Sequence, residues 1–213
     1  MREKITEILK MDSFRIIGKK RYINSAVLIG IINLEGKEHI VFEKRALKIR
    51  QGGEISFPGG KFEEKDGSSK ETAIRETVEE LGIEREKIDI IGKYGTLINA
   101  SGMLLDVYVG YINIEKIEEF NFNKEEVEKL VVVPMEFFKY NKPKIEKIGV
   151  KNIPEFSPKD YNLPERYYGS WSGNSREVYF YNYQDEIIWG MTAEIIFDFI
   201  EELYKMEVEN DFK

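Results

Sequence analysis

The sequence predicts a single mixed α/β domain of the α+β type spanning residues 1–213, and three observations support this. Segments rich in β-branched residues recur along the chain and are separated by turn signals. Only a few segments carry apolar residues at helical spacing. The chain of 213 residues suits one large domain, and it is 42% hydrophobic and 33% charged, as in a folded globular protein.

The predicted elements alternate between strands and a few helices. A helix at the N-terminus carries Ile5, Ile8 and Leu9, and another opens at Pro134. The stretch 142–176 holds four of the six prolines and predicts a long irregular loop that lines or covers a binding site. The predicted strands are 22–34, 39–46, 87–100, 104–114, 130–133, 177–183 and 186–190. Two further helices are predicted, one after the Pro-Gly-Gly break at 58–60 and an amphipathic one at 192–206.

Composition excludes several kinds of chemistry. The net charge of −7 argues against a nucleic-acid binder, and no apolar run is long enough for a membrane span. The chain has no cysteine, which excludes disulfides, thiolate metal sites and a cysteine nucleophile. Its single histidine, His39, lies in a predicted strand, so a Ser-His pair would have to use it. These features predict a cytoplasmic protein whose chemistry depends on carboxylates.

The segment after the Pro-Gly-Gly break predicts a short capped helix. Ser68 followed by Glu71 forms a capping box, which places the start of the helix there. Gly82 marks its end. The residues that recur at helical spacing and predict its buried face are Ile74, Val78 and Leu81.

Three glutamates of this helix stand at positions i, i+3 and i+4: Glu76, Glu79 and Glu80. This spacing predicts that they share one solvent-facing side, with an ion pair available between Arg75 and Glu79. Two interpretations are open, a solvated acidic face or a site for a hard divalent cation. The adjacent glycines, which allow close backbone approach, favour the cation site.

The segment Arg75–Ile83 resembles the end of the Nudix box of Nudix hydrolases, with Gly60 at its beginning. Two departures stand out. One additional residue separates Gly60 from Arg75, with Asp66 where the box has its first glutamate, so the partner of Arg75 is open. Thr77 stands at an aliphatic position of the box.

Three other segments resemble the coenzyme A pyrophosphatase subgroup of this family. The segment "EKRALKIRQGGEISFPGG" (43–60) is similar to its upstream signature of arginines followed by Phe-Pro-Gly-Gly. The segments "NKEEVEKLVVVPMEFF" and "IWGMTAEII" are similar to two downstream ones. The resemblance thus extends from about Val27 to Ile196.

The resemblance implies a Nudix fold, a mixed β-sheet sandwiched between α-helices. It also implies hydrolysis of the pyrophosphate bond of coenzyme A or acyl-CoA, giving adenosine 3′,5′-bisphosphate and 4′-phosphopantetheine or its acyl derivative. The implied metal, Mg²⁺ or Mn²⁺, is held by Glu76, Glu79, Glu80 and Gly60. Glu126 is the candidate general base, with Glu125 and Glu128 as competitors and surface charge as the plain alternative.

Further residues are candidates for substrate binding. Arg45, Lys48 and Arg50 are either a solvated basic loop or a phosphate clamp. The signature adds Phe57, Gly59 and Gly60. Three aromatic residues either cover the substrate or pin the 142–176 stretch to the core: Tyr167, Tyr168 and Trp171. The expected partner is a CoA-like nucleotide, and a homodimer is a candidate assembly.

Two alternative functions remain at this point. A Nudix hydrolase of ADP-ribose, NADH or a dinucleotide would carry the same box. A non-catalytic Nudix module that senses a ligand is disfavoured, because such modules often lose box glutamates and this chain keeps Glu76, Glu79 and Glu80.

Overall fold

The computed structural model describes residues 16–100, 102–171 and 173–210, with side chains up to residue 205. The predicted N-terminal helix with Ile5, Ile8 and Leu9 lies outside these residues, so a single domain over 1–213 stays a prediction. None of the described helices is long and apolar enough to cross a membrane.

The described residues contain a seven-stranded mixed sheet. Its strands are β1 (Ile23–Leu34), β2 (Lys37–Arg45), β3 (Ile55–Ser56), β4 (Gly59–Lys61), β5 (Ile88–Asn99), β6 (Met103–Ile112) and β7 (Val127–Pro134). Strand β1 pairs in parallel with β6, and on its other edge it pairs antiparallel with β4 and then β2. Strand β2 pairs with β3 on the same edge as β1, and it pairs with β7 on the opposite edge. The predicted hairpin is confirmed, and its turn is tight because Glu35 and Gly36 both have positive φ, 53° and 82°.

Three helices follow the sequence signals for their ends. The first, α1 (Ser69–Leu81), begins where the Ser68 hydroxyl accepts a hydrogen bond from the Glu71 N–H and ends at Gly82 with a φ of 62°. The second, α2 (Met135–Tyr140), begins directly after Pro134. The third, α3 (Gly190–Asn210), is the predicted amphipathic helix.

The two faces of the main sheet pack against different helices. Leu28 of β1 lies on one face in a cluster with Ala73 of α1. The next residue, Ile29, points to the other face and joins a larger cluster with Phe138 of α2 and Ile196 of α3. The sheet is therefore sandwiched between helices, which confirms the predicted fold class.

A second, three-stranded antiparallel sheet corrects the prediction for 142–176. Its strands are β8 (Lys144–Gly149), β9 (Ser175–Tyr183) and β10 (Glu186–Trp189), in the order β10-β9-β8. The predicted irregular stretch was wrong over 144–149. Every residue of β8 is exposed, so no buried face marks it in the sequence, and it is held by pairing with β9 some thirty residues later.

The remainder of that stretch is pinned by its own aromatic contacts. The Trp171 N–H donates to the Asn152 carbonyl at 2.8 Å, and its indole N–H donates to the Tyr167 carbonyl at 3.0 Å. The rings of Phe156 and Tyr167 meet the Trp171 ring at centroid distances of 6.1 and 5.6 Å. These contacts join Tyr167 and Trp171 to other residues of the same stretch, so both the core-pinning role and the substrate-covering role stay predictions.

Candidate active site

Arg75 joins the loop before α1 to the helix itself. Its Nε lies 2.7 Å from Asp66 Oδ1, and its Nη2 lies 3.1 Å from Asp66 Oδ2. The same guanidinium contacts Glu76 at 2.9 Å and Glu79 at 3.1 Å. The partner of Arg75 left open by the extra residue is therefore Asp66, and the predicted pair between Arg75 and Glu79 is confirmed.

Asp66 is well placed for this contact because other donors hold it. The Thr72 hydroxyl donates to Asp66 Oδ2 at 2.8 Å, and the Glu63 N–H donates to the same oxygen at 3.0 Å. Its side chain is 2% exposed. The Arg75 guanidinium lowers the pKa of Asp66 far below its usual range. An aspartate at the position of the first box glutamate thus contacts Arg75 despite the additional residue between them.

Gly59 and Gly60 bring the backbone of β4 against two carboxylates of α1. The Gly59 N–H donates to Glu80 Oε2 at 2.8 Å, and a Cβ at Gly59 would collide with the Ala26 carbonyl. A Cβ at Gly60 would occupy the space of the Glu76 carboxylate. Gly59 is required because β1 lies directly against it, and Gly60 is required because the Glu76 carboxylate does.

The three glutamates do not share one solvated face, so that part of the prediction was wrong. Glu79 is exposed, Glu76 is half-buried, and Glu80 is buried with 3% exposed. Helix α1 packs against β1 and β4, which covers the side of the helix that carries Glu80. Burial, together with the charge of Glu43, raises the pKa of Glu80 to about 9.

Glu43 of β2 is a buried carboxylate that the sequence analysis missed. It is 0% exposed, and its Oε1 accepts hydrogen bonds from Arg45 Nη1 and Ser56 Oγ, each at 3.1 Å. Its Oε2 has no hydrogen-bond partner among the described residues. Burial raises the pKa of Glu43 to about 7. The available signal was a glutamate that directly follows the apolar run "IVF" in a predicted strand.

The carboxylates fit a hard divalent cation by their chemistry. Among the described residues no three acidic or histidine side chains are already arranged around a metal position, because Glu76 and Glu79 are turned to Arg75. However, Glu43 Oε2 is buried, and the Glu43 side chain can hydrogen-bond Glu80 only while one of the two carboxyls carries a proton. Two buried carboxylates that are both ionised are costly without a cation. Oxygen donors of this kind suit Mg²⁺ or Mn²⁺.

Glu126 lies within electrostatic reach of this carboxylate group. Burial is the main cause of the raised pKa of Glu43 and of Glu76, and the negative charge of Glu126 raises both pKa values further. Glu126 is half-buried, whereas Glu125 and Glu128 are exposed. His39 lies at the opposite end of β2 from Glu43, with its Nδ1 near the Lys37 carbonyl at 3.0 Å.

A cavity of about 490 Å³ opens beside Gly59 and Gly60, the two glycines that lie against Glu80 and Glu76. Of the residues predicted to bind substrate, Arg45, Arg50, Phe57, Gly59 and Gly60 line it. Lys48 is exposed and is not among the lining residues, nor are Tyr167, Tyr168 and Trp171. Phe57 is also a core residue, since it is 2% exposed and its ring lies 4.9 Å from that of Phe42.

The far wall of the cavity comes from the second sheet and was not predicted in this form. Its apolar side chains are Ile148, Val178, Phe180 and Trp189. The rings of Phe180 and Trp189 stack at a centroid distance of 6.0 Å with an interplanar angle of 8°. Ile148 and Trp189 are 42% and 41% exposed. The cavity thus has arginines and glycines near β4, and a mixed wall on β8, β9 and β10 where these apolar side chains stand with Glu146, Arg176 and Glu177.

Comparisons with known proteins agree on one family. A crystal structure of a MutT/nudix family protein from Enterococcus faecalis superposes with a TM-score of 0.49 at 12% identity, covering 92% of this chain and 66% of that one. Nudix hydrolase 3 from Caenorhabditis elegans is 33% identical over 118 residues, covering 53% of this chain and 49% of its own. The uncharacterized Nudix hydrolase NudL from Photorhabdus laumondii is 30% identical over 174 residues, covering 81% of each chain. A family model for the NUDIX domain matches residues 23–156. The family match and the Photorhabdus relative show that the chain belongs to the NUDIX domain family, whose hydrolases cleave pyrophosphate bonds in nucleoside diphosphate derivatives.

Proposed function

We propose that this Nudix hydrolase cleaves the pyrophosphate bond of coenzyme A or acyl-CoA. The products would be adenosine 3′,5′-bisphosphate and 4′-phosphopantetheine or its acyl derivative. The observation that carries the proposal is the cavity, with Arg45, Arg50 and the glycines of β4 at one end and a wall that includes the large apolar side chains of Phe180 and Trp189 at the other. A substrate with a charged nucleotide and a long, weakly polar arm matches both ends.

Nudix hydrolases generally use a divalent metal such as Mg²⁺ or Mn²⁺. The residues proposed to hold it here are Glu76, Glu79, Glu80 and Gly60. When bound, such a cation neutralises the charge of the diphosphate and makes a bound water more acidic. Glu76 and Glu79 must turn away from Arg75 to contribute, while Asp66 keeps the guanidinium in place.

Glu126 is the proposed general base. Its carboxylate is half-buried and acts electrostatically on Glu43 and Glu76, which supports a role near the carboxylate group. Glu125 and Glu128 are more exposed and do not show this coupling.

The basic residues divide into two proposed roles. Arg45 is held by Glu43 and by the Arg50 carbonyl, so it is a fixed cation beside the diphosphate. The Arg50 side chain is exposed and, within the described residues, makes no ion pair, so it is available for the 3′-phosphate. Lys48 adds positive charge outside the cavity and would attract the anionic substrate at longer range. Phe57 shapes the cavity from the core.

A substrate panel tests the proposal. The purified chain is incubated with Mg²⁺ or Mn²⁺ and coenzyme A, an acyl-CoA, ADP-ribose, NADH or a dinucleotide, and the products are identified by mass. We expect adenosine 3′,5′-bisphosphate from both coenzyme A compounds at the highest kcat/KM of the panel. A higher kcat/KM on ADP-ribose, NADH or the dinucleotide would make the broader nucleotide hydrolase the correct function, and no turnover of any compound would favour a ligand-sensing module.

A further inference from the structure

We propose that Glu43 is an additional ligand of the divalent cation and faces Glu80 from strand β2. This proposal rests on the proposed metal site, but it does not depend on coenzyme A as the substrate. Glu43 lies more than thirty residues before Glu76, the first glutamate of the box helix, and is not one of the glutamates that the box supplies. The site would then combine carboxylates from the sheet and from the helix.

The position of Glu43 in the sheet fixes its direction. It pairs with Leu130 of β7 on one side and with Ser56 of β3 on the other. A residue paired on both edges cannot swing away from its face of the sheet. Its carboxylate is therefore held rigidly, as a metal ligand should be.

The two buried carboxylates each keep one oxygen engaged by the protein. Glu43 Oε1 accepts from Arg45 and Ser56, while Glu80 Oε2 accepts from the Gly59 N–H. Glu43 Oε2 is buried without a hydrogen-bond partner among the described residues. For Glu80 Oε1 the nearest described cation is Arg45, whose Nη1 is 4.0 Å away. One oxygen of each carboxylate is thus left for another cation.

The glutamates around Glu43 also carry more negative charge than the neighbouring arginines neutralise. Glu43, Glu76, Glu80 and Glu126 lie within electrostatic reach of one another. Arg45 contacts the first of them closely, at 3.1 Å. Arg75 divides its guanidinium among Asp66, Glu76 and Glu79. A divalent cation bound between Glu43 and Glu80 would compensate the remaining negative charge.

The competing interpretation is that Glu43 only positions Arg45. Both interpretations predict weaker turnover when Glu43 is changed, so activity does not separate them. Metal affinity does, because a residue that merely holds an arginine contributes little to binding of the cation.

The test is direct binding of Mn²⁺ to the full chain. The electron paramagnetic resonance signal of free Mn²⁺ measures how much of the ion is bound. We expect Glu43→Gln to raise the Kd for Mn²⁺ roughly tenfold or more, and Glu80→Gln to do at least as much. Glu186→Gln is the matched control, since Glu186 is a largely buried carboxylate paired with Lys44 and Lys129 at 3.1 and 2.7 Å. Its Kd should stay within about twofold of the wild type, because its partners already neutralise it.

Thermal unfolding gives a second readout. Without metal, Glu43→Gln should unfold at or above the wild-type temperature, because an amide can donate a hydrogen bond to Glu80 and repulsion is removed. The increase in Tm on adding Mg²⁺ should be smaller than in the wild type. If Glu43→Gln does not fold, Glu43→Asp keeps the charge, and the shorter side chain should still weaken Mn²⁺ binding.

The outcomes separate the two proposals. A wild-type Kd in the folded Glu43 variant, with weak binding in Glu80→Gln, would overturn the role of Glu43 and leave the proposed metal site intact. Absence of Mn²⁺ binding in the wild type would overturn both. Loss of binding in both variants with the control unchanged supports Glu43 as a ligand, whatever the substrate panel shows.

Discussion

The loop and helix from Gly59 to Leu81 and the small sheet of β8, β9 and β10 border the same cavity in opposite ways. The first region is held by short polar contacts, such as those of Arg75 with Asp66 and of Gly59 with Glu80. The second contributes large apolar side chains, among them the stacked Phe180 and Trp189, together with Glu146 and Arg176. The family match ends at residue 156, so β9, β10 and α3 lie beyond it.

This difference suggests a division of labour. Polar contacts that are closely spaced in the sequence fix charges to within a fraction of an ångström, which chemistry on a diphosphate requires. An apolar face tolerates varied side chains and binds by area, which suits recognition of a substrate arm. Changes in the first region should therefore affect turnover and stability, and changes in the second should affect the choice of substrate.

The largest expected effect is that of Glu80→Gln on turnover. We expect kcat to fall on the order of 10²–10³-fold, as for loss of one electrostatic contact in the transition state. The fold should survive, because an amide oxygen can still accept from the Gly59 N–H. Steady-state kinetics at saturating Mg²⁺, with circular dichroism as the folding control, measure this. Near-normal kcat at limiting Mg²⁺ would mean that Glu80 does not hold the metal.

The next effect is on stability, through Asp66→Asn. Removing one charge of a buried bidentate pair should lower the free energy of unfolding by about 2–3 kcal/mol, less than the full cost because Arg75 retains Glu76 and Glu79. Urea unfolding at pH 7 measures this change. Glu63→Gln, on the same loop but exposed, is the control.

The same variant has a pH signature. The pKa of Asp66 is lowered in the folded state, so its contribution to stability is present above the unfolded value near 3.8 and is lost as the pH falls. The wild type should therefore lose stability more steeply than Asp66→Asn below about pH 4. If the free energy of unfolding fell equally steeply with pH in both proteins, the pairing of Asp66 with Arg75 would be contradicted.

Arg50→Ala tests the junction between the two regions. An arginine contact to a phosphate is worth roughly 1.5–3 kcal/mol, so kcat/KM for coenzyme A should fall about ten- to a hundredfold. The value for 3′-dephospho-CoA should hardly change, because that compound lacks the phosphate. Arg45→Ala should lower both values, since Arg45 stands beside the carboxylate group. Equal losses on the two substrates in every variant would show that this cluster does not recognise the 3′-phosphate.

The smallest effect is expected on the apolar wall. Trp189→Ala should reduce kcat/KM for a long-chain acyl-CoA by roughly tenfold, the value of one large apolar contact, and leave ADP-ribose unaffected if that compound is turned over at all. Ile145→Ala is the control, because Ile145 lies on the face of β8 opposite to Ile148. Equal changes in kcat/KM for Trp189→Ala and Ile145→Ala would show that the wall of the cavity does not select the substrate.

The sequence by itself determined what depends on neighbours along the chain. The capped helix from Ser68 to Gly82, the hairpin at Glu35 and Gly36, and the mixed sheet with few helices were all predictable from local signals. The box residues were recognised by their resemblance to the Nudix box, whereas the spacing of Glu76, Glu79 and Glu80 by itself left a solvated acidic face open.

The tertiary structure decided what depends on packing between distant segments. Spacing on a helix cannot tell which side another strand will cover, so the burial of Glu80 beneath Gly59 was not predictable. Glu43 meets Glu80 only because β2 and α1 both contact β1, although 37 residues separate them in the sequence. Strand β8 exists only through its pairing with β9, since none of its own residues is buried. Burial and strand pairing are properties of the assembled chain, and they decide which carboxylates are costly to leave without a cation.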